Sequence, residues 1–196
     1  MYQLDTGPKW HYFKNVFTDE HCARLANYVA TLDAQPASVG GGPLDGDSQN
    51  VRPEVRISEV KWIHQKEDTR WLYDILNAGM RQANSETFGF NLHNCQDIQH
   101  TTYYGSEKGF YDWHADELLS NNGFMRKLSC IVLLSHPNEY VGGKFEFRDV
   151  DSPTNEEFGS KGDVIFFPSF YIHRVNPITS GTRQSLVAWF EGPRWT

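Results

Sequence analysis

The sequence has 196 residues, 39% of them hydrophobic, and a formal net charge of −7 at pH 7, which is enough for one domain with a buried core. No stretch approaches the run of about 18 apolar residues that spans a membrane, and the N-terminus lacks the pattern of a secretory signal. The acidic balance disfavours binding to nucleic-acid phosphates. We therefore expect a soluble, cytoplasmic protein that forms a single domain over residues 1–196, with no membrane or nucleic-acid partner.

The first half of the chain, to about residue 95, predicts helices with short strands. Thr18 is a suitable N-cap for a helix over about 19–32, whose apolar residues recur at helical spacing. A second helix is predicted over about 69–86. Residues 38–53 between them are rich in glycine, proline and small polar residues, which predicts a loop. This loop is either a surface connection or a lid beside a substrate site.

From about residue 96 the sequence changes to short β-branched and aromatic segments separated by Gly, Pro, Asn and Ser. The predicted strands cover residues 97–104, 127–135, 143–149, 162–169, 172–175 and 183–191. No long helical pattern intervenes, so the sheet should be mainly antiparallel. The pattern indicates a mainly β domain with flanking N-terminal helices, built as a sandwich, a barrel or a jelly roll.

Three residues form a candidate metal site. The segment YDWHADE, residues 111–117, places His114 and Asp116 two positions apart, so both side chains can leave one face of a strand. His173 is the candidate for a third ligand. Two imidazoles and one carboxylate on one side of an ion leave open positions, as in the non-haem Fe(II) oxygenases. If the strand is regular, Tyr111 lies on the face opposite to His114.

The segment HRVNPITSGTRQS, which begins at His173, predicts a β-hairpin with NPITSG as its turn. Arg183 and Ser185 then share one face of the return strand, and Arg183 lies near His173 across the hairpin. An arginine that points into a barrel is costly unless it meets an anion. Its planar fork suits a carboxylate, and Ser185 can donate to the same group.

These motifs, in this order, resemble the 2-oxoglutarate and Fe(II)-dependent dioxygenases, and within them the prolyl 4-hydroxylase-like branch that includes the bacterial PKHD-type hydroxylases. The resemblance covers most of the chain and includes FTDEHCARL, VRISEVKWI, YYGSEKGFYDWHADE, YVGGKFEF and GDVIFFPSFYIHRVNPITSGTRQSLVAWF. It implies a double-stranded β-helix, or jelly roll, with its core at about 96–196 and helical support at about 1–95.

The resemblance also implies roles for the metal site. It implies that His114, Asp116 and His173 bind Fe(II) and are the catalytic residues. It also implies 2-oxoglutarate and O2 as cosubstrates and ascorbate as an optional reductant. Family members that halogenate lack the carboxylate, so the presence of Asp116 favours hydroxylation.

The same resemblance implies a cosubstrate site. It pairs Arg183 with the C5 carboxylate of 2-oxoglutarate, and Ser185 stands beside it as a further donor. Tyr104 matches a tyrosine whose hydroxyl contacts this cosubstrate. Tyr103 is the alternative, because strand alternation lets only one of the two neighbours face inward.

The expected reaction is hydroxylation of a C–H bond in a prolyl or other residue of a peptide or protein, with release of succinate and CO2. The alternative is hydroxylation of a free amino acid or small metabolite. A nucleic-acid demethylase is disfavoured, because Trp189 stands where such enzymes carry a second arginine. A non-enzymatic jelly-roll binding module would not require the three metal ligands together with Arg183.

Overall fold

The computed structural model describes residues 9–39, 51–120 and 123–195 of the chain. Most of the loop predicted at 38–53, namely residues 40–50, lies outside the described residues. The choice between a surface connection and a lid depends on these residues and therefore lies outside the described part of the chain as well.

Two α-helices and twelve β-strands are found in the described part of the chain. In chain order they are β1 (His11–Phe13), α1 (Asp19–Val29), β2 (Gln35–Pro36), β3 (Arg56–Ile57), β4 (Glu59–His64), α2 (Arg70–Ala83), β5 (Asp97–Tyr104), β6 (Phe110–His114), β7 (Phe124–Leu133), β8 (Tyr140–Gly142), β9 (Phe145–Phe147), β10 (Val164–Pro168), β11 (His173–Val175) and β12 (Ile178–Pro193).

Both predicted helices are present, and each ends a few residues before its predicted end. The Thr18 side chain accepts from the His21 backbone N–H, and the His21 ring accepts from the Thr18 backbone N–H, so that α1 begins with a reciprocal cap. Helix α2 passes into a π-helical turn over Asn84–Phe88, which Gly89 closes with a φ of +66°. The α-helix therefore ends at Ala83, and residues 84–86 of the predicted helix lie in the wider turn.

The strands form two antiparallel sheets, as predicted. The larger has eight strands, seven of them in the order β1-β10-β7-β12-β5-β4-β2 with β8 paired to β12, and the smaller has the order β3-β6-β11-β9. The N-terminal part supplies strands to both sheets, since β1, β2 and β4 join the larger one and β3 the smaller. The architecture is a jelly roll with the two helices on its outside.

The larger sheet is apolar on both faces because each face covers a different core. In β10, Val164 and Phe166 pack with the helices, whereas Ile165 and Phe167 pack in a second cluster with residues of the smaller sheet. This alternation explains why VIFF has no polar positions.

The hairpin predicted after His173 is wrong. Strand β11 pairs with β6 and β9 in the smaller sheet, whereas β12 pairs with β5, β7 and β8. The chain leaves the smaller sheet after Asn176, whose N–H donates to the carbonyl of Lys144, and Ile178 then donates to the carbonyl of Gly109. These bonds lead the backbone across to the other sheet and replace a tight turn.

A polar network ties together β9 and β11, the strand that carries His173. Arg174 donates through Nε and Nη2 to one oxygen of Glu146, at 3.0 and 2.8 Å, and Asn176 donates to the same oxygen. Lys144 contacts the other oxygen. The hydrogen bond from Arg174 is the largest of the effects that lower the pKa of Glu146 to about 2.

We predict that Glu146→Gln destabilises the protein by about 1 kcal/mol near neutral pH, a value that allows for solvent screening. Because the folded-state pKa is depressed, the stabilisation is present above the unfolded pKa and is lost as the pH falls from about 4.5 to about 2. Urea denaturation at several pH values measures this. Asp149→Asn, which breaks the exposed pair with Arg148, should leave stability nearly unchanged. An equal loss for Glu146→Gln at every pH would contradict the prediction.

Candidate metal centre

His114 and His173 face each other across neighbouring strands. They are directly paired in the ladder between β6 and β11, and their ring centroids lie 4.2 Å apart. Nδ1 of His114 lies 2.8 Å from the carbonyl of Asp112, and Nδ1 of His173 lies 2.9 Å from the carbonyl of Tyr171. A carbonyl only accepts, so each Nδ1 carries the proton. Each Nε2 therefore keeps its lone pair for a metal.

Asp116 completes the group from the loop that follows β6. Its backbone N–H donates to the carbonyl of Ser169 at 2.8 Å, and its Oδ2 accepts from the Ser129 hydroxyl at 2.8 Å. The Ser169 hydroxyl lies 2.9 Å from that of Ser129, so it donates in turn. Backbone and side chain of Asp116 are thus both fixed by groups on the larger sheet and its following loop.

The donor atoms fit a metal ion. They lie within 4.8 Å of one another, and each histidine Nε2 is 3.6 Å from an Asp116 oxygen. These separations are too long for hydrogen bonds, so the atoms are close without satisfying one another. Two imidazoles and one carboxylate are a donor set that suits Fe(II).

The protonation states favour metal binding. Burial lowers the pKa of His173 to about 4, which makes its ring neutral at neutral pH. Burial alone would raise the pKa of Asp116, but the two imidazoles and the hydroxyl of Ser129 together hold it well below its usual range. Asp116 is therefore a carboxylate.

Arg183 lies in the same cavity as the three candidate ligands, although it comes from the opposite sheet. The cavity has a volume of about 320 Å³ and is also lined by Ser185 and Tyr103. The Arg183 side chain is 1% exposed, its Nη1 reaches the Ser185 hydroxyl at 3.4 Å, and its Nε has no hydrogen-bond partner among the described residues. A buried guanidinium left unpaired is costly unless an anionic ligand joins it. This fits the predicted contact with a carboxylate.

Gly143 makes room for Arg183. A Cβ on Gly143 would lie 2.9 Å from Cδ of Arg183, and the φ of Gly143 is +63°. A larger residue would therefore displace the arginine.

The placement predicted for Tyr104 is corrected by the structure. Its hydroxyl donates to Glu59 at 2.9 Å, and the residue does not line the cavity. Tyr103, the alternative, lines it and places its ring 5.7 Å from the Arg183 guanidinium. The reason is the register of β5 against β12, which pairs Tyr103 directly with Arg183.

Tyr111 is also placed differently from the expectation for a regular strand. Between the pairs His173–His114 and Val175–Tyr111, β11 advances by two residues and β6 by three, which is a β-bulge. The bulge turns Tyr111 to the side of His114, and the two rings stack with centroids 3.4 Å apart. Asp112, which would share the metal-facing side with His114 if the strand were regular, is exposed.

Sequence reasoning missed the part of the cavity wall around Trp189. Arg56, Gln99, Arg126 and Trp62 line the cavity there. The guanidinium of Arg126 lies 4.0 Å above the Trp189 ring, whose Nε1 is buried without a hydrogen-bond partner. The segment VRISEVKWI contained the signal for Arg56, an arginine between the apolar residues Val55 and Ile57.

Two further findings bear on the protein as a whole. Cys22, Cys95 and Cys130 are free thiols in the interior. Within the described residues, neither helix has the length and apolar character needed to cross a membrane.

Comparison with known sequences identifies related proteins. A sequence model of the 2OG-Fe(II) oxygenase superfamily matches residues 98–191. A PKHD-type hydroxylase of Idiomarina loihiensis is 33% identical over 82 residues, and one of Colwellia psychrerythraea is 37% identical over 87 residues. Each match covers 42% of this chain and 37% of the relative, so the chain matches little more than a third of the length of these relatives.

Comparison with solved structures shows the same fold. The viral collagen prolyl hydroxylase of Paramecium bursaria Chlorella virus-1, in complex with 2OG, has a TM-score of 0.67 at 19% identity, over 97% of this chain and 99% of that one. A prolyl hydroxylase of Trichoplax adhaerens, in complex with a peptide fragment of hypoxia inducible factor, has a TM-score of 0.65 at 17% identity, over 96% and 85% of the two chains.

We predict that Ser129→Ala weakens Fe(II) binding by about tenfold, because the substitution removes the hydrogen bond that orients the Asp116 carboxylate and keeps the carboxylate itself. His173→Ala, which removes a candidate ligand, should weaken binding further. Anaerobic calorimetric titration with Fe(II) measures both effects, and His136→Ala, at an exposed histidine, serves as the control. Fe(II) binding by His173→Ala with the affinity of the unmodified protein would contradict this assignment.

Proposed function

We propose that this protein is a 2-oxoglutarate-dependent hydroxylase of the prolyl 4-hydroxylase-like type, a proposal supported by the match of residues 98–191 to the sequence model of the 2OG-Fe(II) oxygenase superfamily. The observation that carries the proposal is the presence, in one cavity, of the His114, Asp116 and His173 donor atoms together with the buried, unpaired Arg183. A metal site alone would suit many functions, whereas this combination suits an ion and a dicarboxylate bound side by side.

The residues of the chain then have distinct tasks. His114, Asp116 and His173 hold Fe(II), with the imidazoles oriented by backbone carbonyls and the carboxylate by Ser129. Arg183 receives the carboxylate of 2-oxoglutarate that is remote from the metal. Ser185 and Tyr103 flank the guanidinium and complete this end of the cavity.

Bound Fe(II) supplies the activation of O2 that oxidises both 2-oxoglutarate and a substrate C–H bond. The overall reaction converts R–H, 2-oxoglutarate and O2 into R–OH, succinate and CO2. The protein contributes by holding the cosubstrate and excluding water. Val175, Val187 and Ile131 line the cavity with apolar surface beside the polar groups, which strengthens the electrostatic contacts inside it.

A residue in a peptide or protein is the proposed substrate. The Arg126–Trp189 pair on the cavity wall supports this, because the guanidinium has several N–H donors and a peptide offers carbonyl acceptors. The peptide complex of the related Trichoplax adhaerens structure supports it as well.

We predict that the purified protein converts 2-oxoglutarate to succinate only with Fe(II) and O2, and that Asp116→Ala reduces this conversion to background. A library of peptides and a cell lysate, analysed by mass spectrometry for the gain of one oxygen, tests the substrate class. A peptide product that carries this oxygen would support the proposal. Fe(II)-independent turnover, or full turnover by Asp116→Ala, would refute it.

We predict that Tyr103→Phe raises the KM for 2-oxoglutarate by up to about tenfold, the effect of one hydrogen bond to a charged group. Tyr104→Phe should leave it unchanged, because its hydroxyl is bonded to Glu59 outside the cavity. Steady-state succinate release at varied 2-oxoglutarate measures both. The reverse outcome would show that the tyrosine closer to Arg183 is not the one that contacts the cosubstrate.

A further inference from the structure

The cavity contains a second buried arginine without a carboxylate partner. Arg56, on β3, is 7% exposed. Its Nε donates to the Ser58 hydroxyl at 2.8 Å, and its Nη2 donates to the side-chain oxygen of Gln99 at 3.0 Å. Both acceptors are neutral, and the guanidinium lies 4.5 Å above the ring of Tyr111. The guanidinium of Arg56 therefore has hydrogen-bond partners, but no carboxylate neutralises its charge.

Arg126 is a third arginine on the cavity wall. It stacks on Trp189, and it takes part in no ion pair among the described residues. The carboxylates that act on it are those of Asp116 and Glu191 and, to a smaller extent, Asp97. Asp116 is a candidate metal ligand, and Glu191 lies outside the cavity lining and accepts from the Ser120 hydroxyl.

The two arginines belong to one continuous wall. Gln99, the acceptor for Arg56, pairs with Trp62 across β4 and β5. The Trp62 ring lies 6.2 Å from the ring of Trp189, on which the guanidinium of Arg126 stacks. Arg56 and Arg126 thus border the same aromatic surface, while Arg183 lies in another part of the cavity lining.

The charges of the described residues that line the cavity do not balance. Among them are Arg56, Arg126 and Arg183 against the carboxylates of Asp116 and Glu117. A divalent metal ion and the 2-oxoglutarate dianion cancel each other. One positive charge is then left over, and it lies in the part of the cavity that the cosubstrate does not occupy. Burying such a charge is unfavourable unless the substrate brings its counterpart.

We propose that the substrate carries a carboxylate close to the carbon that is hydroxylated, and that this carboxylate binds between Arg56 and Arg126 against the Trp62–Trp189 surface. The inference rests on the proposed function, because it assumes that Arg183 is used by 2-oxoglutarate. The carboxylate has two sources with the same chemistry: an acidic side chain within a peptide, or the terminal carboxylate of a short peptide or amino acid.

Matched probes separate these sources. The first pair is N-acetylglutamate N-methylamide and its glutamine analogue, and the second is N-acetylproline and N-acetylprolinamide. Each is titrated anaerobically into protein loaded with Mn(II) and 2-oxoglutarate. The dissociation constant is read from the fluorescence of the tryptophans, two of which line the cavity. Within each pair a carboxylate is replaced by a neutral amide of nearly the same size and shape.

The proposal predicts that at least one carboxylate probe binds about tenfold more tightly than its amide. Arg56→Gln and Arg126→Gln should each reduce this preference to less than about twofold. Arg126 is only partly buried, so its variant tests the proposal even if Arg56→Gln folds poorly. Arg24→Gln is the matched control, since Arg24 stacks on Trp71 at 4.6 Å outside the cavity. It should keep the full preference.

Equal binding of carboxylate and amide would overturn the proposal, as would no binding of any probe up to about 10 mM or an unchanged preference in both cavity variants. The loading of the protein with Mn(II) and 2-oxoglutarate distinguishes failure of the substrate inference from failure of the proposed function. If the protein binds Mn(II) and 2-oxoglutarate but shows no preference, only the substrate inference fails. If it does not bind 2-oxoglutarate at all, the proposed function itself fails.

Discussion

The direct pairing of His114 with His173 across two strands is the constraint on which the rest of the site depends. It brings two imidazoles to a centroid distance of 4.2 Å. Their Nδ1–H groups are used by backbone carbonyls, so both free nitrogens are available on the cavity side. The third donor, Asp116, is then held against the larger sheet by Ser129 and Ser169. The centre therefore bridges the two sheets, and its geometry requires the whole sandwich to be folded.

The jelly roll also explains how this protein can bury several charges. One face of the larger sheet packs on the helices mainly through apolar side chains, and the other face carries both an aromatic cluster and the polar cavity. This apolar packing stabilises the fold and offsets the cost of placing Arg56 of β3, Arg126 of β7 and Arg183 of β12 around the cavity without ion-pair partners among the described residues. Buried charges of this kind are typical of binding sites, where a ligand of opposite charge neutralises them.

Much of the fold was predictable from the sequence, because strand alternation and helix periodicity are local properties. β5 agrees with its predicted limits, and the three predicted ligands lie together. The errors have another origin. The hairpin after His173, the choice of Tyr104 over Tyr103 and the direction of Tyr111 all depended on pairing register or on a bulge. Register is decided by contacts between distant segments, so a single local pattern does not determine it.

The central claim is that one cavity binds Fe(II) and 2-oxoglutarate together. An anaerobic titration of the Fe(II)-loaded protein with 2-oxoglutarate tests it most directly, with visible charge-transfer absorption as the signal. We predict an absorption that requires both components, saturates at one equivalent of 2-oxoglutarate and disappears when O2 is admitted. Absence of the absorption at saturating 2-oxoglutarate, or its undiminished appearance when His173 is replaced by alanine, would contradict the account.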